Sequence, residues 1–289
     1  MSKITERPES QFQVRIATPE TWQVVVEMAR REHWDLGEGD ASRFLNVDAP
    51  GFYIGYWQDR PIASISVVNH AQNYAHLGHY IVNPDFRGQG LGLAVWSIAI
   101  EHAEGRCIGL DGMPAQEANY QKFGFKTHYH TFRMVGAATK NIVELHNIEL
   151  VDQKNITSVI DYDASFIGYS RAGLLAEWFF GQGRKGLLLV GNKGIEGVIG
   201  LRPSDDGYRV GPFYAANEKS MEALMLAAMN EIPQQTNVTL DIPEHAQQTI
   251  AFARSLGFKT LFHTCRMYRG EPPLDYQPGI NALASLELG

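Results

Sequence analysis

An eleven-residue stretch of this chain occurs twice, and that repeat constrains the fold more than any other feature. Gly124-Phe125-Lys126-Thr127-His128-Tyr129-His130-Thr131-Phe132-Arg133-Met134 returns as Gly257-Phe258-Lys259-Thr260-Leu261-Phe262-His263-Thr264-Cys265-Arg266-Met267, with eight positions identical. Self-similarity at a long spacing marks a duplicated structural unit. Upstream, Leu110-Asp111 lines up with Leu240-Asp241, and a hairpin at Phe52–Val68 has a counterpart at Leu187–Leu201. Their turns fall at Gln58-Asp59-Arg60 and Asn192-Lys193-Gly194. Tyr80-Ile81-Val82-Asn83-Pro84 is echoed by Tyr208-Arg209-Val210-Gly211-Pro212. The expected organisation is two homologous halves, 1–138 and 139–289, joined near Gly136–Asn141.

Apolar periodicity gives each half the order of an α/β unit with a mixed sheet. The first half reads as strand 12–17, a helix from Pro19 to Arg31 capped by Thr18, and a short helix at Asp40–Leu45. The hairpin, strand 75–82, helix 90–103, strand 106–111, helix 115–122 and strand 125–134 follow. The second half reads as a strand near Val143–Leu150, a helix near Gly168–Phe180, the hairpin and a further strand. Helix Glu218–Asn230, strand 237–241, helix 245–255 and strand 258–268 complete it. The tail after Gly270 carries Pro272, Pro273 and Pro278 and is expected to run over the surface.

Charge and cysteine usage exclude several classes. A net charge of −7 over 289 residues offers no basic face to nucleic acid. No apolar run is long enough to span a bilayer. Cys107 and Cys265, both in strand-like runs, do not make a disulfide framework, and Met1–Glu9 is polar without the apolar region of a secretory signal. A cytoplasmic protein without membrane association is expected.

The chemistry is concentrated in Asn83-Pro84-Asp85-Phe86-Arg87-Gly88-Gln89-Gly90-Leu91-Gly92, where an apolar strand meets an apolar helix. A glycine turn at a helix N-terminus can direct several backbone N–H groups at one anion, and Arg87 adds positive charge. No lysine and hydroxyl follow Gly92, so this is not a Walker loop, and Leu93 stands where a dinucleotide fingerprint needs a small residue. The turn is read as a pyrophosphate site, the alternative being a purely structural βα turn.

Arg87-x-x-Gly90-x-Gly92 after Val82-x-Pro84, with Asn119-Tyr120-Gln121-Lys122-Phe123-Gly124-Phe125 downstream, resembles the GCN5-related N-acetyltransferase (GNAT) superfamily. With Glu32-x-Trp34 and Arg266-Met267-Tyr268-Arg269-Gly270, the duplication resembles its tandem two-domain subgroup with a degenerate second half. The resemblance implies a tandem duplication of the acyl-CoA N-acyltransferase fold, with acetyl-CoA as co-substrate. It implies that Ile81 and Val82 pair with the pantetheine arm. Arg87, Gly88, Gln89, Gly90, Leu91 and Gly92 would hold the pyrophosphate, with Asn119 and Tyr120 also at the cofactor. Tyr120 would protonate the leaving thiolate, and the backbone N–H of Val82 would stabilise the oxyanion. Many members carry an asparagine where this chain has Met113.

A phenol suits the acid role, because its pKa near 10 lies close above that of a thiol. Three groups remain candidates for the proton taken from the amine: His79, Asp111 and Glu32. Glu32 and Trp34 are expected on the acceptor side. His128-x-His130 is not a metal pair by spacing, since no third ligand is near, so no metal is expected. Asp163 and Arg171 read equally well as a surface ion pair. In the second half the position of the turn reads Pro212-Phe213-Tyr214-Ala215-Ala216-Asn217-Glu218-Lys219, without glycine or arginine. That half should not bind acyl-CoA. The expected activity is acetyl transfer to the amine of a small molecule by a monomer or homodimer. A non-catalytic acyl-CoA sensor and a protein or peptide N-acetyltransferase are the alternatives.

Overall fold

A computed structural model describes residues 11–140 and 147–289. Met1–Glu9, Asn141 and the first part of the strand expected near Val143–Leu150 lie outside the described residues. The first half runs β1 (Phe12–Ile16), α1 (Pro19–Arg31), α2 (Asp40–Val47), β2 (Phe52–Trp57), β3 (Arg60–Asn69), β4 (Tyr74–Val82) and α3 (Leu91–Ala99). It continues with β5 (Cys107–Gly112), α4 (Glu117–Lys122) and β6 (Lys126–Ala137). The second runs β7 (Ile148–Leu150), α5 (Ile156–Ile167), α6 (Ala172–Trp178), β8 (Lys185–Gly191), β9 (Gly194–Ser204) and β10 (Gly207–Ala215). Then come α7 (Glu218–Glu231), β11 (Asn237–Pro243), α8 (Gln247–Ser255), β12 (Lys259–Arg269) and β13 (Ile280–Ala282). The start of α1 follows local chemistry: Thr18 accepts from Thr21 N–H, the Thr21 hydroxyl accepts from Thr18 N–H, and Pro19 opens the helix.

The expected mixed sheet is present as one sheet of thirteen strands, ordered β1-β2-β3-β4-β5-β12-β6-β11-β10-β9-β8-β7, with β13 beside β10. The halves exchange their last strands. β12 of the second lies between β5 and β6 of the first, and β6 carries the first half onto β11. We propose 1–138 and 139–289 as the units of duplication, although each sheet is completed by the other unit's strand.

The exchange places charges in register. Arg266 is opposite Asp111 across β12 and β5, and Arg133 is opposite Asp241 across β6 and β11. Arg266 Nε and Nη2 lie 3.1 and 2.7 Å from the Asp111 carboxylate, and Arg133 Nε and Nη2 lie 2.7 and 2.8 Å from Asp241. All four are buried, apart from the backbone edge of Asp111. A shared apolar core backs this seam: Trp22, Phe44 and Phe52 of the first half pack in one cluster with Leu174, Trp178 and Leu188 of the second. Asp40 of α2 adds a further crossing, 2.9 Å from both Arg184 and Arg202.

Several sequence expectations are corrected. A helix, α5, precedes α6, where one helix over Gly168–Phe180 was expected. Asp163 on α5 and Arg171 are buried rather than on the surface, joined at 2.8 and 3.1 Å and closed by the Tyr214 hydroxyl. The tail does not run over the surface beyond residue 279. β13 pairs with β10, and Leu283, Ala284, Ser285, Glu287 and Leu288 are buried. The Tyr208–Pro212 match is also displaced. In β4 the irregularity in the ladder precedes Ile81, whereas in β10 it falls after Val210. Pro212–Ala215 therefore belong to strand β10, and the connection to α7 is only Ala216 and Asn217, against 83–90 in the first half. Asn217 spends its side chain on capping α7 through Ser220 N–H.

Removing one member of a crossed pair leaves a buried charge without its partner. Arg266→Met should destabilise the chain by about 3–5 kcal/mol. Adding Asp111→Leu should restore most of that, because the orphan charge goes with it. Urea denaturation of the two variants checks this, and equal stability of single and double variants would refute the coupling.

Candidate active site

The parallel pairing of β4 with β5 runs from Tyr74↔Cys107 to Leu77↔Leu110 and then stops. Beyond Leu77 the ladder between β4 and β5 ends, and the two strands part. A cavity of about 620 Å³ fills the opening. The last turn of the β3–β4 ladder aims the backbone into it. Asn83 N–H donates to Ile62 O, so Ala63–Val82 is the pair that does not exchange hydrogen bonds. The N–H and C=O of Val82 consequently face away from β3, and its carbonyl accepts from Arg87 Nε at 2.8 Å.

The glycines of the turn have separate reasons. Gly88 and Gly90 sit at φ +75° and +79°, where a side chain is strained although space is open. Gly92 is a matter of room: a Cβ there would lie 2.7 Å from the Tyr80 hydroxyl and the Val82 side chain. No side chain caps α3, so its first N–H groups are left for an anion. Arg87 lines the cavity and is held by Glu32 at 2.5 Å, so an arriving pyrophosphate must share or replace that partner.

Tyr120 reaches the cavity from α4, packed against Trp96 and Phe125 at centroid distances of 5.8 and 6.3 Å. Its ring lies over Gly112, where a Cβ would come within 2.5 Å. Burial, with Tyr80 adding to it, pushes the phenol up to about 12, which keeps the proton on the oxygen. His79 sits at φ +49°, buried among Trp22, Phe44 and Trp34, with Nδ1 2.9 Å from the Ser66 hydroxyl. Burial pushes its imidazole down to about 4, against Glu287 and Asp40, so the ring is neutral near pH 7. Burial pushes the Asp111 carboxyl up to about 6, against the pull of Arg266.

Of the residues expected from sequence, Glu32, Trp34, His79, Ile81, Val82, Arg87, Gly88, Gly90, Gly92, Asp111 and Tyr120 all line this cavity. Gln89 and Leu91 do not, and Gln89 turns back to the Asp85 carbonyl at 3.1 Å. Asn119 also lies outside, its amide joined to Gln116 and Lys122 on the exposed face of α4. Sequence reasoning missed Arg133, Phe262, Thr264, Leu286 and Glu287 as lining residues. The first three lie in the repeated stretch, and the last two in the apolar run Ile280–Leu288, which was the available signal. Among the described residues no group of His, Cys, Asp and Glu could hold a metal, and no helix is long and apolar enough to cross a membrane.

The equivalent opening in the second half is closed. β10 pairs with β11 only from Tyr208↔Val238 to Val210↔Leu240, and beyond that β13 takes its edge through Phe213↔Ala282 and Tyr214↔Ile280. Leu283 N–H reaches the Asp241 carbonyl on β11. The chain's own tail thus fills the gap that the first half leaves open.

A sheet parted beside a glycine turn, with a protonated phenol at the fork, fits a thioester carried on a pyrophosphate-bearing arm, which is the work of an acyl-CoA-dependent acyltransferase. Sequence comparison agrees. The pattern of the acetyltransferase (GNAT) family matches residues 17–125, and that of an acetyltransferase (GNAT) domain matches 159–279. The chain is 46% identical over 273 residues to the holothin acyltransferase of Pseudoalteromonas sp. (strain SANK 73390), covering 94% of this chain and 93% of that one. It belongs to the GNAT family, in its tandem form, and is an acyl-CoA-dependent N-acyltransferase. In fold it is similar to an acetyltransferase from Pyrococcus horikoshii, with a TM-score of 0.80, 19% identity and 96% of each chain covered. It is also similar to a tandem GNAT protein from the clavulanic acid biosynthesis pathway, with a TM-score of 0.60, 13% identity, and 89% of this chain and 98% of that one covered.

One open fork predicts one acyl-CoA site per chain. Calorimetry with acetyl-CoA should show a single site, abolished by Gly90→Glu combined with Arg87→Ala, which strains the turn and exchanges its charge. Two sites in the wild-type chain would contradict the closure of the second half.

Proposed function

We propose that the chain transfers acetyl from acetyl-CoA to the amino group of a small molecule, holothin or a compound close to it in shape. The observation that carries this reading is the continuity of one cavity from the glycine turn and Tyr120 to Trp34, Phe262 and Leu286. Trp34, Phe262 and Leu286 bring the loop after α1, β12 and the tail to one cavity of about 620 Å³, a volume suited to a compact acceptor. The 46% identity to a holothin acyltransferase supports the choice of acceptor.

Acetyl-CoA supplies the activated thioester. Val82 turns its backbone edge toward the arm of the cofactor, Ile81 lines the cavity beside it, and Arg87, Gly88, Gly90 and Gly92 hold the pyrophosphate. Transfer forms a C–N bond and breaks a C–S bond, while nitrogen loses one proton and sulfur gains one. The Val82 N–H faces the fork and is placed to carry the developing negative charge on oxygen. Tyr120 gives its proton to sulfur. Asp111 takes the proton from nitrogen, since burial pushes its carboxyl up to about 6 while, against burial, Arg209 holds the Glu287 carboxyl below its ordinary value, and His79 is neutral but weakly basic.

Tyr120→Phe should leave acetyl-CoA binding unchanged in calorimetry and lower kcat by about 10²–10⁴-fold. Unchanged kcat would remove the acid role. Binding of acetyl-CoA by a wild-type chain that acetylates no amine, holothin included, would favour the sensor reading.

Asp111 acts only as carboxylate, so kcat/KM should climb tenfold per pH unit below about 6 and level off above it. The phenol at about 12 adds no falling limb near neutrality. Asp111→Asn should lose the limb near 6, and a limb that persists in the variant assigns the proton transfer elsewhere.

A further inference from the structure

The last residues of the chain run through the seam and are tied at nearly every step. The Leu286 carbonyl meets His76 Nε2 at 3.3 Å and the Leu288 carbonyl meets His70 Nε2 at 3.0 Å. Leu288 N–H donates to the Ser285 hydroxyl at 2.9 Å, and the Gly289 carbonyl accepts from Arg171. Between these ties the carbonyl of Glu287 rests directly on β4. A Cβ at Gly78 would lie 2.0 Å from that oxygen, so only glycine lets the tail approach the cofactor strand so closely.

The contact puts the Glu287 side chain, 5% exposed, in the wall of the acyltransfer cavity. Its Oε1 has a long contact, 3.5 Å, with Arg209 Nη1, and its Oε2 has no hydrogen-bond partner among the described residues. Arg209 is committed elsewhere, at 2.6 Å from Asp241 and 2.9 Å from the Asp35 carbonyl. Glu32 is held by Arg87 at 2.5 Å. Asp111 Oδ2, although without a well-directed hydrogen bond, is ion-paired with Arg266 Nη2 at 2.7 Å, whereas among the described residues Glu287 Oε2 has no guanidinium so close. Buried carboxylate oxygens are expensive to leave unpaired, and an orphan in a cavity wall implies a donor that arrives with a ligand. The thioester carbonyl and the sulfur carry no donor, whereas an amine does.

We propose that Glu287 binds the acceptor, its Oε2 accepting a hydrogen bond from the amino N–H and turning the nitrogen toward β4, while Trp34, Phe262 and Leu286 enclose the apolar body. The proposal rests on the acyltransferase reading of this cavity and adds the residue that recognises the nitrogen. It makes Glu287 an acceptor-binding residue, with proton transfer left to Asp111.

The test uses the full chain saturated with CoA and two probes that differ only at the recognised group. These are para-fluoroaniline, and para-fluorotoluene with methyl in place of amino, both read by fluorine NMR. The wild-type chain should bind the aniline about tenfold or more tighter, the scale of a hydrogen bond to a charged group. Glu287→Leu, which removes the acceptor, should bring the two affinities to within about twofold, whereas Glu287→Gln, which keeps a neutral acceptor oxygen, should leave a preference below that of the wild-type chain. A ratio taken within one protein is insensitive to partial loss of folded material. Equal affinities in the wild-type chain, or a wild-type-sized preference that survives Glu287→Leu, would overturn the assignment. Acetylation of holothin by the wild-type chain is scored separately. If it fails while the amino preference depends on Glu287, the acceptor identity falls and the role of Glu287 stands.

Discussion

Two crossed ion pairs hold this protein in register. A strand slipped by one residue exchanges its faces, and in an apolar setting that is corrected by the hydrophobic pattern alone. Here Arg266 must stand opposite Asp111 and Arg133 opposite Asp241, because any other register buries four charges without partners. Because β12 and β6 have exchanged halves, each pair joins the first half to the second. The stability of the seam and the position of the fork between β4 and β5 therefore have a common origin: β5 is fixed on one side by β12 and left free on the other beyond Leu110.

The duplication then divides labour. In the first half the fork stays open, and an eight-residue connection carries the glycine turn. In the second, β13 occupies the fork and the connection shrinks to Ala216 and Asn217. The polar groups that an open fork would leave bare are satisfied by the tail, as buried backbone requires. Closing the second fork also delivers the tail to the first, since the chain leaving β13 has to cross the seam beside Gly78. The tail that closes the second fork is the same segment that lines the first-half cavity with Leu286 and Glu287.

What the sequence made legible was local. The repeat, the capping of α1, the glycine turn and the Tyr120 motif all depend on short-range rules, and the cavity gathers eleven of the expected residues. What stayed hidden depends on partners distant in sequence. The prolines at 272, 273 and 278 suggested a surface tail, yet the apolar run after them finds an empty strand position 65 or more residues back, on β10. Asp163 and Arg171 looked like surface charges because nothing local shows the Tyr214 hydroxyl that meets both. The Tyr208–Pro212 match misled because two strands of like composition differ in where their ladder breaks, and a break is a property of the pairing, not of either strand.

The same geometry separates acceptor choice from cofactor chemistry. The groups assigned to acyl-CoA, from Ile81 to Gly92 and Tyr120, belong to the first half and are braced by Trp96 and Phe125, in a core that Cys265 and Met267 of β12 complete. Phe262 and Thr264 come from β12, and Leu286 and Glu287 from the tail, all of them second-half residues reaching across the seam. Thr264 is held in the β12–β6 ladder, and the backbone on either side of Glu287 is tied at Leu286 and Leu288 to His76, Ser285 and His70. On the proposed reading, substitutions there would change what the cavity accepts while the fork, the glycine turn and the phenol keep their positions. On that reading, a degenerate half retained beside an intact one is the physical means by which one acyl-transfer site is fitted to a particular acceptor.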